Sequence, residues 1–203
     1  MPKRSPAAAP TAPKRLPKAE RREQLLETAR AIVREEGTDA LTLGHLAERA
    51  GVTKPIAYAH FETRSGLLVA LYQQIDDQQV AALRAALAET RPRLGDIARV
   101  VSKAYMDCYI HVGPEWSALS GALKGDERME AFERALHARY VALYRDALAP
   151  HTTLPKRELH LRCVGILGAG DALAREMIPG NVDAAAAAAT MASLIVEWLA
   201  PAR

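Results

Sequence analysis

The chain has 203 residues, 49% hydrophobic and 25% charged, a balance that excludes a disordered or collagen-like polymer and is enough to bury a real apolar interior. Aromatic residues are only 5%, while alanine is abundant and runs unbroken from Ala184 to Ala189, so helix is favoured over sheet and the expected class is all-α. The net charge of +3 is unevenly placed: residues 1–65 hold 12 basic and 8 acidic groups and residues 66–203 hold 15 and 16, so the positive end is the first third, which suits a phosphate-bearing partner.

Every apolar stretch is interrupted before the roughly 20 residues that span a bilayer. The basic start is not followed by the apolar core of an export signal, and a soluble, cytoplasmic protein without a membrane partner is expected. Cys108 and Cys163 fall in different expected helices without CxxC spacing, against a disulfide scaffold or a cysteine-rich zinc site. Residues 1–17 hold five of the twelve prolines, among alanines and the pairs Lys3-Arg4 and Lys14-Arg15, and read as a flexible basic arm.

Helical periodicity begins at Lys18, where Leu25, Leu26, Ala29, Ile32 and Val33 recur at three- and four-residue intervals until Gly37. Thr42 is an expected N-cap for residues 43–50, Gly51 supplies a turn, and Thr53 an expected cap for residues 54–61, with Pro55 in the first turn, where a missing N–H matters little. Ser65 is the expected cap of a long fourth helix carrying Leu67, Leu68, Leu71, Ile75, Leu83 and Leu87 and ending towards Pro92. Further helices are expected at about 94–112, 115–123, 127–149, 156–178 and 182–200. The pattern is a three-helix helix-turn-helix domain at 18–65, followed by a larger helical bundle at 66–203.

Residues 41–61, LTLGHLAERAGVTKPIAYAHF, have helix-turn-helix spacing: Leu46, Ala47 and Val52 can pack between two short helices across Gly51, leaving Thr53, Lys54, Ile56, Tyr58 and His60 on the outward face of the second. Hydroxyl, ammonium and imidazole groups there can reach phosphates or base edges, and Ile56 a thymine methyl. Gly37, Thr42, Leu46-Ala47, Ala50-Gly51-Val52, Thr53, Tyr58, Phe61, Arg64 and Leu67-Leu68 stand at offsets that make residues 22–68 resemble the DNA-binding domain of the TetR family of transcriptional regulators. The resemblance implies that Thr42, Tyr58, His60 and Arg64 contact phosphates and that Thr53, Lys54 and Ile56 lie near bases. Pro55, where the family commonly has glycine, and Ala57, where it often has a larger apolar residue, depart from its pattern.

The resemblance further implies a homodimer on double-stranded operator DNA, most simply a repressor, and a small-molecule effector bound in the C-terminal region. Gly165, Gly168, Ala169 and Ala172, together with Ala188, Ala192, Ile195, Val196 and Leu199, are the expected dimer-interface residues. Tyr105, Tyr109, Trp116, Phe132, Tyr140 and Asp171 are the candidate pocket, although bulky residues at such spacings usually mean core. His160 and Cys163 stand three apart without a third metal ligand, and phosphate loops and nucleophile triads are absent, so neither cofactor, metal nor enzyme is expected. A ligand-independent architectural DNA binder, or a helical carrier or enzyme with a vestigial helix-turn-helix, are the alternatives.

Overall fold

The computed structural model describes residues 16–111, 119, 121 and 124–200. These form α1 (Lys18–Glu36), a 3-10 turn (Thr38–Ala40), α2 (Leu43–Arg49), α3 (Lys54–Phe61), α4 (Arg64–Ala88), α5 (Leu94–His111), α6 (Glu127–Leu148), a second 3-10 turn (Ala149–His151), α7 (Lys156–Met177) and α8 (Ala184–Leu199), with no strand among the described residues. The molecule is all-α, as composition and periodicity require. Most of the expected arm, most of the helix at 115–123 and Trp116 lie outside the described residues.

Caps explain the boundaries, and not always through the expected residue. The Thr42 hydroxyl accepts from the His45 N–H at 3.1 Å and starts α2, whereas Thr53 makes no side-chain cap bond to α3. Ser65 is not the cap of α4. Thr63 is, accepting from the Gly66 N–H at 3.0 Å, while Ser65 lies inside the first turn and donates to Asp126 Oδ2 at 2.6 Å. At its far end α4 stops at Ala88, short of Pro92, and α8 begins at Ala184, where Asp183 accepts from the Ala186 N–H at 2.7 Å.

Two apolar cores organise these helices. The first combines Leu25, Leu26 and Ile32 of α1, Leu46 and Ala47 of α2, Ala57 and Phe61 of α3 and the α4 residues up to Ile75, and it also takes in Leu119 and Met129 from beyond α5. The second runs from Val80 and Leu83 of α4 through α5, the later half of α6, α7 and α8. So α4 belongs to both bodies, and residue 65 marks where α4 has just begun rather than where one core yields to the other. Burial of this kind contributes about 25 cal/mol per Å² of apolar surface, so each core holds its helices firmly.

On α8, the stripe expected to face a second subunit is instead used inside the chain. Ile195 and Leu199 are fully buried and Ala192 nearly so, because α8 packs along α5 and against α7. Gly165 also serves this packing: a Cβ there would stand 2.8 Å from the Trp198 ring. The open residues of α7 include Leu161, Val164, Gly168 and Ala172 beside Lys156, Arg157, His160, Arg175 and Glu176, and those of α8 include Ala185, Ala189, Thr190, Ser193, Glu197 and Trp198, with Ala169, Ala188 and Val196 half-buried at the margins.

Candidate nucleic-acid interface

The two short helices are set by a left-handed glycine and a buried contact. Gly51 has φ +65°, a conformation that L side chains rarely adopt, and Val52 N–H closes the turn on the Ala47 carbonyl at 2.9 Å. Leu46 and Ala47 of α2 and Ala57 and Phe61 of α3 meet in the first core, which forces the opposite side of α3 outward. At the end of α3, Gly66 lets α4 start immediately: a Cβ there would fall 2.3 Å from the Phe61 carbonyl oxygen.

Thr53, Lys54, Pro55, Tyr58 and Ala59 are exposed on α3, Tyr58 with half its surface open. The Lys54 side chain bends towards the start of α2, its Cε lying 3.6 Å and its Nζ 4.0 Å from the point where a Gly44 Cβ would be, and Thr42 Oγ1 lies 3.9 Å from the same point. Thr42, Gly44 and Lys54 are therefore one local group: an exposed hydroxyl, already oriented by its cap bond, beside an ammonium. A hydroxyl and an ammonium are the kinds of group that meet phosphate oxygens. Gly44 escaped the sequence reading, although a helix-disfavoured glycine in the first turn was its signal.

Three expected contacts sit differently from the expectation. Arg64 is a clamp within the protein: its Nε donates to the Leu41 carbonyl at 2.9 Å and one terminal nitrogen to the Thr38 carbonyl at 2.7 Å, tying α4 to the first 3-10 turn. Ile56 is half-buried and packs on the first core, so only part of it faces outward. His60 is also half-buried, with its Nδ1 enclosed and unpartnered, and burial together with the positive charges of Lys18, Arg22 and Arg21 pushes its pKa below the ordinary histidine value. The free protein carries it neutral at pH 7.

Behind the reading face, Glu36 accepts from Arg49 at 2.6 Å and stands 3.0 Å from His45 Nε2, and Glu35 accepts from the same Arg49 at 2.7 Å. These carboxylates hold the Arg49 guanidinium above its usual pKa and brace α2 against the end of α1.

Farther along the chain, Tyr105, Tyr109 and Tyr140 belong to the second core and Phe132 packs on the first, its ring edge-on to Tyr72 with centroids 5.0 Å apart. Asp171 does not join them. It is half-exposed on α7 and pairs with Arg175 of the same helix. The buried carboxylate is Asp76 of α4, 2% exposed, which accepts from Arg139 at 2.7 Å and is hydrogen-bonded by Tyr140. Burial holds its carboxyl above the usual range while Tyr140 and Arg139 pull the other way. Its place on the Tyr72, Val80, Leu83 stripe was the available signal. Burial also pushes the Cys108 and Cys163 thiols up to about 11, which keeps both protonated and unreactive at neutral pH. Cys163 faces the core and His160 is exposed, so the two do not share a face.

With this geometry in place, residues 25–71 match the family model described as bacterial regulatory proteins, tetR family. That segment is similar to the TetR-family amino-terminal domain. The matched segment runs from the first buried leucine of α1 to Leu71 of α4, which takes in most of the first core and all of α2 and α3. Over 100 residues the chain is 38% identical to the HTH-type transcriptional activator FasR of Mycolicibacterium smegmatis, covering 48% of this chain and 44% of that protein. Over 88 residues it is 34% identical to the HTH-type transcriptional regulator BetI of Rhizobium meliloti, covering 41% and 43%. Each match spans less than half of the relative. The solved structure described as a putative transcriptional regulator from Pseudomonas aeruginosa PAO1 superimposes with TM-score 0.73 at 17% identity over 90% of this chain and 92% of that one, so the two share a fold through the bundle. The family model and both relatives are described as regulators.

Proposed function

We propose that this protein is a TetR-like, ligand-responsive transcriptional repressor that binds palindromic operator DNA as a homodimer and is released by a small-molecule effector. The observation that carries it is the α3 face: Thr53, Lys54 and Tyr58 exposed together, braced by α2, with Lys54 and Thr42 beside one another at the start of α2. Thr53, Lys54 and the exposed part of Ile56 are placed to meet base edges, while Thr42, Tyr58 and Lys54 are placed to meet phosphates. Lys18, Arg21 and Arg22, close enough to the neutral His60 to lower its pKa, add positive potential at the edge of that face.

A second open face supports the dimer: Leu161 is 56% and Trp198 42% exposed on neighbouring helices, with Val164, Gly168, Ala172 and Ala189 also open, apolar and small residues on which two copies can approach closely. Two α3 helices brought about 34 to 36 Å apart would enter successive major grooves. For the effector we take the surroundings of Tyr105, Tyr109 and Tyr140 in the second core and Phe132 on the first. Among the described residues no helix is long and apolar enough to cross a membrane.

Selecting bound duplexes from a random pool tests the reading. Enrichment of a two-fold symmetric sequence, bound by dimer and lost with rising salt, is the expected result; equal retention of all duplexes would make the protein an architectural binder, and retention of none would leave the carrier or enzyme. Transcription from a promoter bearing the selected sequence should rise when the protein is removed. A fall would make it an activator, as FasR is named.

A further inference from the structure

The two apolar cores part at one level of the molecule, and that level is ionic. On α4 the first core ends at Ile75 and the second begins at Val80; on α6 the first core takes Met129, Phe132 and Leu136, and the second takes Tyr140, Val141 and Tyr144. Between those limits stand Asp76 and Asp77 on α4 and Arg139 on α6. A single Arg139 nitrogen donates to Asp76 Oδ2 at 2.7 Å and to Asp77 Oδ1 at 2.6 Å, and Asp76 is the one charged side chain classed as buried among the described residues.

Close-packed apolar bodies resist internal sliding, so relative movement concentrates at the seam between them. A guanidinium shared by two successive carboxylates suits such a seam. Asp76 is 2% exposed while the Asp77 side chain is 54% exposed, so Arg139 has one partner in a low-dielectric site and a second in water, and it keeps one as α4 turns. Apolar side chains at these positions would weld the two cores; an ion pair fixes their register without filling it.

We propose that Asp76, Asp77 and Arg139 form the pivot between the DNA-reading half and the bundle, with Arg139 the positioning residue that sets the angle of α1–α3 for operator binding. The proposal rests on the regulator reading and assigns its regulation to a named contact. Ser65 and Asp126 tie the same two helices nearer the reading face, so movement at the pivot is carried to α3 along α4.

The test uses Arg139→Met and the paired neutral variant Asp76→Asn/Arg139→Met in the full chain, with three readouts: melting temperature, affinity for the selected operator, and the spin-label distance between Glu48→Cys on α2 and Arg157→Cys on α7. The labelled chain is diluted with unlabelled chain; Cys108 and Cys163, half-buried and buried with raised pKa values, do not compete for label. Arg139→Met leaves Asp76 buried without its cation and should lower the melting temperature. The neutral pair should recover most of that loss yet keep a broadened distance distribution and an operator affinity down about tenfold, because fewer molecules hold the competent angle. If the neutral pair matches the parent in distance and affinity, the ion pair is merely structural and the pivot is wrong. If the parent selects no operator, the regulator reading fails while the distance measurement still decides the pivot.

Discussion

Two surfaces of this molecule are equally open to solvent and opposite in chemistry. On α3 the exposed residues include Thr53, Lys54 and Tyr58, each ending in a hydrogen-bonding group; on α7 and α8 they include Leu161, Val164, Gly168 and Ala189, which offer shape and apolar area. The difference teaches that exposure alone does not name a partner. Polar tips on a rigid short helix match the edges and phosphates of a duplex, whereas small and apolar residues on long helices match another protein surface.

Charging the apolar face should break the comparison most severely. Leu161→Asp with Val164→Asp places two carboxylates on each copy's side of the proposed dimer seam, and sedimentation should show monomer with operator affinity down at least about a hundredfold, since one reading head then acts alone. A persistent dimer would move the interface elsewhere. Next comes Leu46→Ala, which empties part of the core that presents α3; a loss of about 2–5 kcal/mol is expected in chemical denaturation, without a change in dimer strength at temperatures where the variant is folded.

Lys54→Ala sharpens the comparison from the other side. It should leave the melting temperature within a degree or two, weaken operator binding about tenfold, and reduce the slope of log affinity against log salt by about 1. Thr42 and Thr53 separate capping from reading. Thr42→Ala removes a formed cap bond and should cost about 1 kcal/mol, whereas Thr53→Ala, with no such bond, should hardly move the melting temperature while still altering operator selection.

The smallest effect concerns acid. The Ser65 hydroxyl and the α6 N–H groups lower the Asp126 pKa below its ordinary 3.8, so Asp126 stabilises the fold above that value and the contribution disappears as pH falls through the depressed one. Melting Ser65→Ala beside the parent from pH 6 to pH 2.5 should show a gap at pH 6 that narrows at the acid end. A constant gap would assign it to something other than this carboxylate.

Much of the reading face was legible because it is written locally. Thr42 and Gly51 act on residues within a few positions of themselves, and their spacing survives from sequence to structure. The carbonyl bonds of Arg64 were not legible because its partners, Leu41 and Thr38, lie 23 and 26 residues away, and a basic residue at a helix start looks alike whether it meets a phosphate or a carbonyl. Asp171 and Asp76 show the same ambiguity in the bundle: Asp171 stands among small apolar residues in sequence and Asp76 among glutamines and a second aspartate, yet it is Asp76 that lies on the buried side of its helix.

Local spacing determined the helical class, the extent of most helices and the helix-turn-helix, because periodicity, caps and glycine turns act over three to seven residues. The third dimension decided what covers the apolar side of α8: Thr190, Ser193 and Glu197 share its open face, but only the packed structure shows that α5 and α7, within the same chain, bury Ile195 and Leu199 opposite them. It also joined Asp76 to Arg139 across 63 residues, a pairing that exists only once two helices lie side by side.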